Sequence, residues 1–198
     1  MNEFNTENRP CGEMKNTRPQ KSGASLFYEA VEIISIALIV VIMINLFVGR
    51  MTTVVGDSMY PTLHNTERLW VSRLGYTPEN GDIVVIQENN SAISEPIVKR
   101  IIATENQTVK FDFENWKVYV DGVELLEDYI NYEDWCAMKT YGCPEEVTVP
   151  PGYVFVLGDN RNHSTDSRDP RVGVISEDDI LGKVVARILP LNKFGAVS

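Results

Sequence analysis

The apolar run from Ile33 to Val48, IISIALIVVIMINLFV, constrains this chain more than any other feature. It contains no charge, and Ser35 and Asn45 are its only polar residues. A helix inside a soluble core usually keeps a polar face, and this stretch has none. From Ile33 to Gly49 is about 25 Å as helix, the lower end of what spans a bilayer. Glu29 and Glu32, three apart on one helical face, are then expected at the membrane interface beside Phe27 and Tyr28. The alternative is a buried core helix.

Residues 25–49 are therefore read as one transmembrane signal-anchor helix, with 1–24 as a cytoplasmic tail and 50–198 as an extracytoplasmic domain. Orientation comes from the flanks: Arg9, Lys15, Arg18 and Lys21 precede the span, whereas Arg50 alone follows closely. No small-residue cleavage motif follows the run, so the anchor is expected to be retained. This predicts a single-pass protein of the cell membrane, with the lipid bilayer as one partner.

Charge excludes other classes. The chain carries a formal net charge of -10, most of it beyond Gly49. Such an acidic domain is not expected to bind nucleic acid or to adhere to anionic lipid by charge alone. Cys136 and Cys143, in CAMKTYGC, are close enough in sequence for a disulfide, although two free thiols fit equally well; Cys11 should stay reduced in the cytoplasm. The cysteine spacing fits no zinc site, and no metal or cofactor is expected.

Beyond Gly49 the pattern is one of short strands with turn punctuation, a mostly β domain. Strands are predicted at 51–55, 68–72, 82–87, 97–103, 118–120, 123–125, 153–157 and 183–188. Asp121-Gly122 reads as a tight hairpin turn, and a short helix is predicted over 176–181, capped by Ser176. Residues 105–149, richer in acidic and aromatic side chains, read as an inserted β subdomain that ends at Pro150-Pro151-Gly152.

Three stretches carry possible chemistry. GDSMYPTL, residues 56–63, presents Ser58 among turn formers and is not the G-x-S-x-G elbow, because Tyr60 stands at the second glycine position. A Ser-His-Asp triad would have to use His64 or His163, the only histidines. The other common activator of a serine is a lysine held neutral by desolvation. Lys99, in EPIVKRIIA, alternates with Ile97 and Ile101 on one strand face; Arg100 lies on the other and cannot act as a base. The third stretch, LGDNRNHSTDSR over 157–168, reads either as a polar turn or as a supporting shell with an Asp166–Arg168 pair.

As an ordered set after an apolar anchor, GDSMYPTL, GDIVVI with VKRIIA, and PPGYVFVLGDNRNHSTDSR resemble the bacterial signal peptidase I family, membrane-bound serine proteases that remove signal peptides from exported proteins. RVGVISEDDILGKVVARILP is similar to the segment that follows in that family. The resemblance implies a signal-peptidase/LexA-like β catalytic domain, with Ser58 as nucleophile and Lys99 as general base. It implies that Ser164 orients the lysine, that Asp159, Asp166 and Arg168 support the site, and that Met59 lies near the substrate pocket. It implies that the Ser58 backbone N–H is an oxyanion donor. Some members place a hydroxyl residue where Gly56 stands, so the second donor in the Gly56 region is open. The implied partners are preprotein signal peptides, cut after small residues in Ala-x-Ala-like contexts. A LexA-type self-cleaving regulator and an anchored binding module are the alternatives.

Overall fold

The computed structural model describes residues 23–47, 49–87 and 95–197. Arg9, Lys15, Arg18 and Lys21, which set the expected orientation, and Cys11, expected to stay reduced, lie outside the described residues. Two compact units separate between Val41 and Ile42.

In the first unit, the helix α1 begins; it runs over Gly23–Phe47. Its described apolar side chains, among them Ile33, Leu38 and Ile42, are exposed. The Ser35 hydroxyl donates to the Val31 carbonyl at 2.8 Å, so this mid-helix polar side chain is satisfied by its own backbone. Among the described residues, no helix is long and apolar enough to cross a membrane.

The second unit is mostly β. Its strands are β1 (Arg50–Thr53), β2 (Arg68–Ser72), β3 (Ile83–Ile86), β4 (Ile97–Ala103), β5 (Thr108–Asp112), β6 (Lys117–Val120), β7 (Val123–Glu124), β8 (Glu146–Thr148), β9 (Tyr153–Leu157), β10 (Ile175–Ser176), β11 (Ile180–Leu189) and β12 (Gly195–Ala196). The larger sheet is antiparallel in the order β1, β2, β11, β3, β4, β9, β10, with β12 on β11. Register shifts in the pairings of β11 and β4 bend it. The smaller sheet, β7, β6, β5, β8, occupies residues 108–148. The Asp121-Gly122 turn joins β6 to β7 with positive φ at both residues, 51° and 80°, which suits a two-residue hairpin.

Alternation within strands builds the core. On β3, Ile83 and Val85 join Leu63, Leu69 and Val184 in one cluster, while Val84 and Ile86 join Ile101, Val156 and Ile175 in another. Ile102, Phe155 and Leu157 extend a third cluster into the small sheet, where they meet Val109, Phe111 and Trp116. Each such side chain contributes about 1.5–3 kcal/mol by leaving water.

The helix predicted over 176–181 is corrected. Ser176 does cap, accepting from the Asp178 N–H, but only one 3-10 turn forms over Glu177–Asp179. Ile180 then pairs with Ile86 in the sheet and is buried, and that tertiary pairing outweighs the local helix signals. Strands β5, β8, β10 and β12 escaped the sequence reading; three of the four are only two or three residues long. Cys136 and Cys143 are both free thiols.

Candidate active site

Lys99 comes from the middle of β4, where Val84 lies opposite it on β3. With that neighbour and the flanking isoleucines it is 3% exposed. Its Nζ lies 2.7 Å from Ser58 Oγ and 3.1 Å from the Val98 carbonyl. Burial pushes the ammonium down from 10.5 to about 8, against the opposing pull of Asp166 and Asp159.

Ser58 sits in the turn between β1 and β2, half-buried. Met59, which the resemblance places near the substrate pocket, is 1% exposed and belongs to the core cluster that includes Leu63, Leu69 and Val98. Its side chain points into the core and anchors the turn from below. Gly56 adopts φ of 84°, a conformation that favours glycine, and its N–H donates to Asn65 Oδ1 at 3.1 Å. That amide is therefore already occupied.

The loop after β9 closes the site. Asp159 accepts two bonds from Arg100, Nε to Oδ1 at 2.9 Å and Nη2 to Oδ2 at 2.8 Å, and a third from the Thr62 hydroxyl. The Arg100 guanidinium also stacks 3.9 Å over Tyr129. One buried carboxylate thus ties together the Ser58 turn, the Lys99 strand and the loop. Asp166 accepts from Arg168 Nε and Nη2, both at 2.9 Å, and from the Gly158 N–H at 3.0 Å. Burial alone would raise the Asp166 carboxyl; the Arg168 bonds and charge outweigh it and hold the group below the usual carboxylate range.

Ser164 is buried, yet its Oγ has no hydrogen-bond partner of acceptable geometry among the described residues. It is near enough to Asp166 to help keep that carboxylate ionised. The bond to Lys99 expected of it is not made here. Gly158 explains how Ser164 comes so close: a Cβ there would stand 2.3 Å from Ser164 Oγ and 2.5 Å from the Ser58 carbonyl. Neither histidine reaches the serine: His64 Nδ1 lies 3.6 Å from Glu67, and His163 Nε2 lies 3.2 Å from Glu133.

Sequence reasoning missed Arg100, Thr62, Gly158 and Asn160. A buried arginine inside an apolar strand was the available signal, since such a charge needs a carboxylate partner. The site is not marked by size of cavity. A concavity of about 680 Å³ on the smaller sheet, lined by Lys110, Phe113, Tyr119 and Glu145, contains neither Ser58 nor Lys99.

On this β scaffold Ser58 Oγ and the buried Lys99 Nζ lie 2.7 Å apart, within hydrogen-bond reach of each other and with no histidine bonded to either. The family model described as "Signal peptidase, peptidase S26" matches residues 27–189, and the chain belongs to that family of serine peptidases. It is 36% identical over 191 residues to "Signal peptidase I T" of Bacillus subtilis, covering 91% of this chain and 96% of that one. It is 34% identical to "Probable signal peptidase I-1" of Synechocystis sp., with 92% of each chain covered. "Signal peptidase IB" of Staphylococcus aureus is 33% identical over 81% of this chain and 88% of its own.

Proposed function

We propose that this protein is a membrane-anchored endopeptidase that removes N-terminal signal peptides from exported preproteins, cutting after small residues in Ala-x-Ala-like contexts. The observation that carries the reading is the 2.7 Å contact between Ser58 Oγ and a lysine whose burial lowers its pKa to about 8. The three relatives, each named a signal peptidase I, support the substrate class.

In the proposed reaction, neutral Lys99 accepts the Ser58 proton as Oγ attacks the scissile carbonyl. The tetrahedral oxyanion is held by the Ser58 N–H. Lys99 then passes its proton to the leaving amine, the C–N bond breaks, and an acyl-enzyme remains. Lys99 next takes a proton from water as its oxygen attacks the ester carbon; the C–Oγ bond then breaks and Lys99 returns the proton to Ser58 Oγ, restoring the serine and the neutral lysine. Ser164, with its buried unpartnered hydroxyl, receives a hydrogen bond from the Lys99 ammonium while that charge exists. Asp159 with Arg100, and Asp166 with Arg168, hold the two loops in register.

The apolar run of 33–48 supports an anchor. Ser58 is ten residues past Val48, so it lies within roughly 35 Å of the membrane surface, near where a translocated signal peptide would be cut. The anchor places residues 50–198 outside the membrane and the tail in the cytoplasm.

The test is cleavage of a preprotein with the new N-terminus sequenced, for wild type, Ser58→Ala, Lys99→Ala and Lys99→Arg. All three variants should be inactive. Activity retained in Lys99→Arg, which keeps the charge and loses the titration, would sink the general-base role. Extraction of the full chain from membranes by alkaline carbonate would sink the anchor.

A further inference from the structure

We infer that Asn160 is a positioning residue that aims the Ser58 N–H at the oxyanion; the inference rests on the proposed role of Ser58. Asn160 is buried, and it touches the nucleophile turn twice. Its Nδ2 donates to the Asp57 carbonyl at 3.0 Å, and its backbone N–H donates to the Ser58 carbonyl at 3.0 Å.

The Asp57 carbonyl and the Ser58 N–H belong to one peptide group. Because that group is planar and trans, its C=O and N–H point in opposite directions. Whatever holds the oxygen therefore aims the N–H. The Tyr60 N–H also reaches the Asp57 carbonyl, at 3.1 Å, and closes the turn from within. Asn160 supplies the contact from outside, against rotation of the turn as a whole. The Ser58 N–H itself makes no hydrogen bond to the described residues, which leaves it free to donate to a developing oxyanion.

The orientation of the Asn160 amide is determined by its partners. A carbonyl can only accept, so Nδ2 faces Asp57; Oδ1 accepts from Asn131 Nδ2 at 3.1 Å. Asn131 is fixed in turn by its backbone N–H, which donates to the Asp159 carbonyl at 3.0 Å. A residue from the segment between β7 and β8 thus backs the oxyanion donor through one intermediate side chain.

The test uses the full-length enzyme, a substrate peptide, and a boronic acid built on the acyl side of that peptide. Ser58 Oγ adds to boron, its proton passes to Lys99, and the tetrahedral boronate places an oxygen where the oxyanion would sit. Asn160→Ala and Asn160→Asp should each lower kcat by about 10²-fold, the effect of losing one oxyanion donor. Boronate affinity should fall by the same factor, with KM and the pH midpoint of kcat/KM unchanged. Wild-type boronate affinity in the variants, or a loss confined to KM, would overturn the inference while leaving the Ser58 role intact. A wild-type enzyme that binds the boronate no more tightly than the parent peptide would overturn both. Should Asn160→Ala fail to fold, Asn160→Asp keeps the volume and carries the comparison.

Discussion

Lys99 Nζ lies 2.7 Å from Ser58 Oγ, although 41 positions separate the two residues in the chain. The lysine is almost fully buried, and burial lowers its pKa to about 8. Its charge state, and with it the capacity to take a proton from Ser58, therefore changes near physiological pH.

The pH dependence of activity follows in sign. Below pH 8 Lys99 is mostly charged and cannot accept a proton, so kcat/KM should rise about tenfold per pH unit and level off above 8. Steady-state cleavage of a peptide substrate across this range checks it. A flat profile would remove Lys99 as the base.

Stability should show the same group in reverse. The folded pKa of Lys99 is depressed relative to the unfolded value of 10.5, so the unfolded chain binds more protons between about 8 and 10.5. The Lys99 contribution is thus most unfavourable below pH 8 and improves as pH rises through that window. Lys99→Met, which keeps the volume and removes the charge, should melt higher than wild type at pH 7, by the equivalent of about 3 kcal/mol. The gap should close by pH 10.5. Thermal melts at both pH values measure this.

Arg100→Ala should be among the most destabilising single changes. It leaves Asp159 buried with only the Thr62 hydroxyl of its three side-chain donors, and such an uncompensated charge costs about 3–5 kcal/mol. Arg100→Lys should recover part of the loss, since it restores charge without the two-pronged geometry. Denaturant titration of both variants checks the order.

Gly158→Ala tests how tightly the loop packs on the Ser58 turn. The added methyl would stand 2.5 Å from the Ser58 carbonyl oxygen, a backbone atom with little freedom to retreat. Overpacking of this kind costs about 1–3 kcal/mol. A displacement of about 1 Å at Ser58 should lower kcat about 10²-fold. Near-normal kcat with an unchanged melting temperature would show that the loop yields.

The sequence was most legible where structure is local. Short apolar runs bounded by turn residues marked β2, β3, β4 and β9, and Asp121-Gly122 marked its own turn, because each signal lies within a few residues of what it specifies. The failures have a common cause. Residues 176–181 carry a good cap and acidic first turn, yet pairing of Ile180 with Ile86 drew that segment into β11. Membership of Met59 in the core cluster with Leu63, Leu69 and Val98 was likewise not legible from its position beside Ser58.

Arg100 shows the same limit within the site. Period-two alternation put it on the face opposite Lys99, and that was all the strand could say. Its partner Asp159 lies 59 residues on, and only folding reveals that the two carry each other's charge.

By itself the sequence determined the chemistry available: a serine in a turn, a lysine among isoleucines, a loop rich in hydrogen-bonding groups, and an uncharged apolar run ahead of them. The tertiary structure decided which of these groups meet. Desolvation of Lys99, the Arg100–Asp159 pairing, the approach that Gly158 permits and the hold of Asn160 on the Ser58 turn all depend on segments 40 to more than 100 residues apart. Burial and hydrogen-bond geometry are properties of the surroundings of a side chain, and those surroundings exist only once the sheets have closed around it.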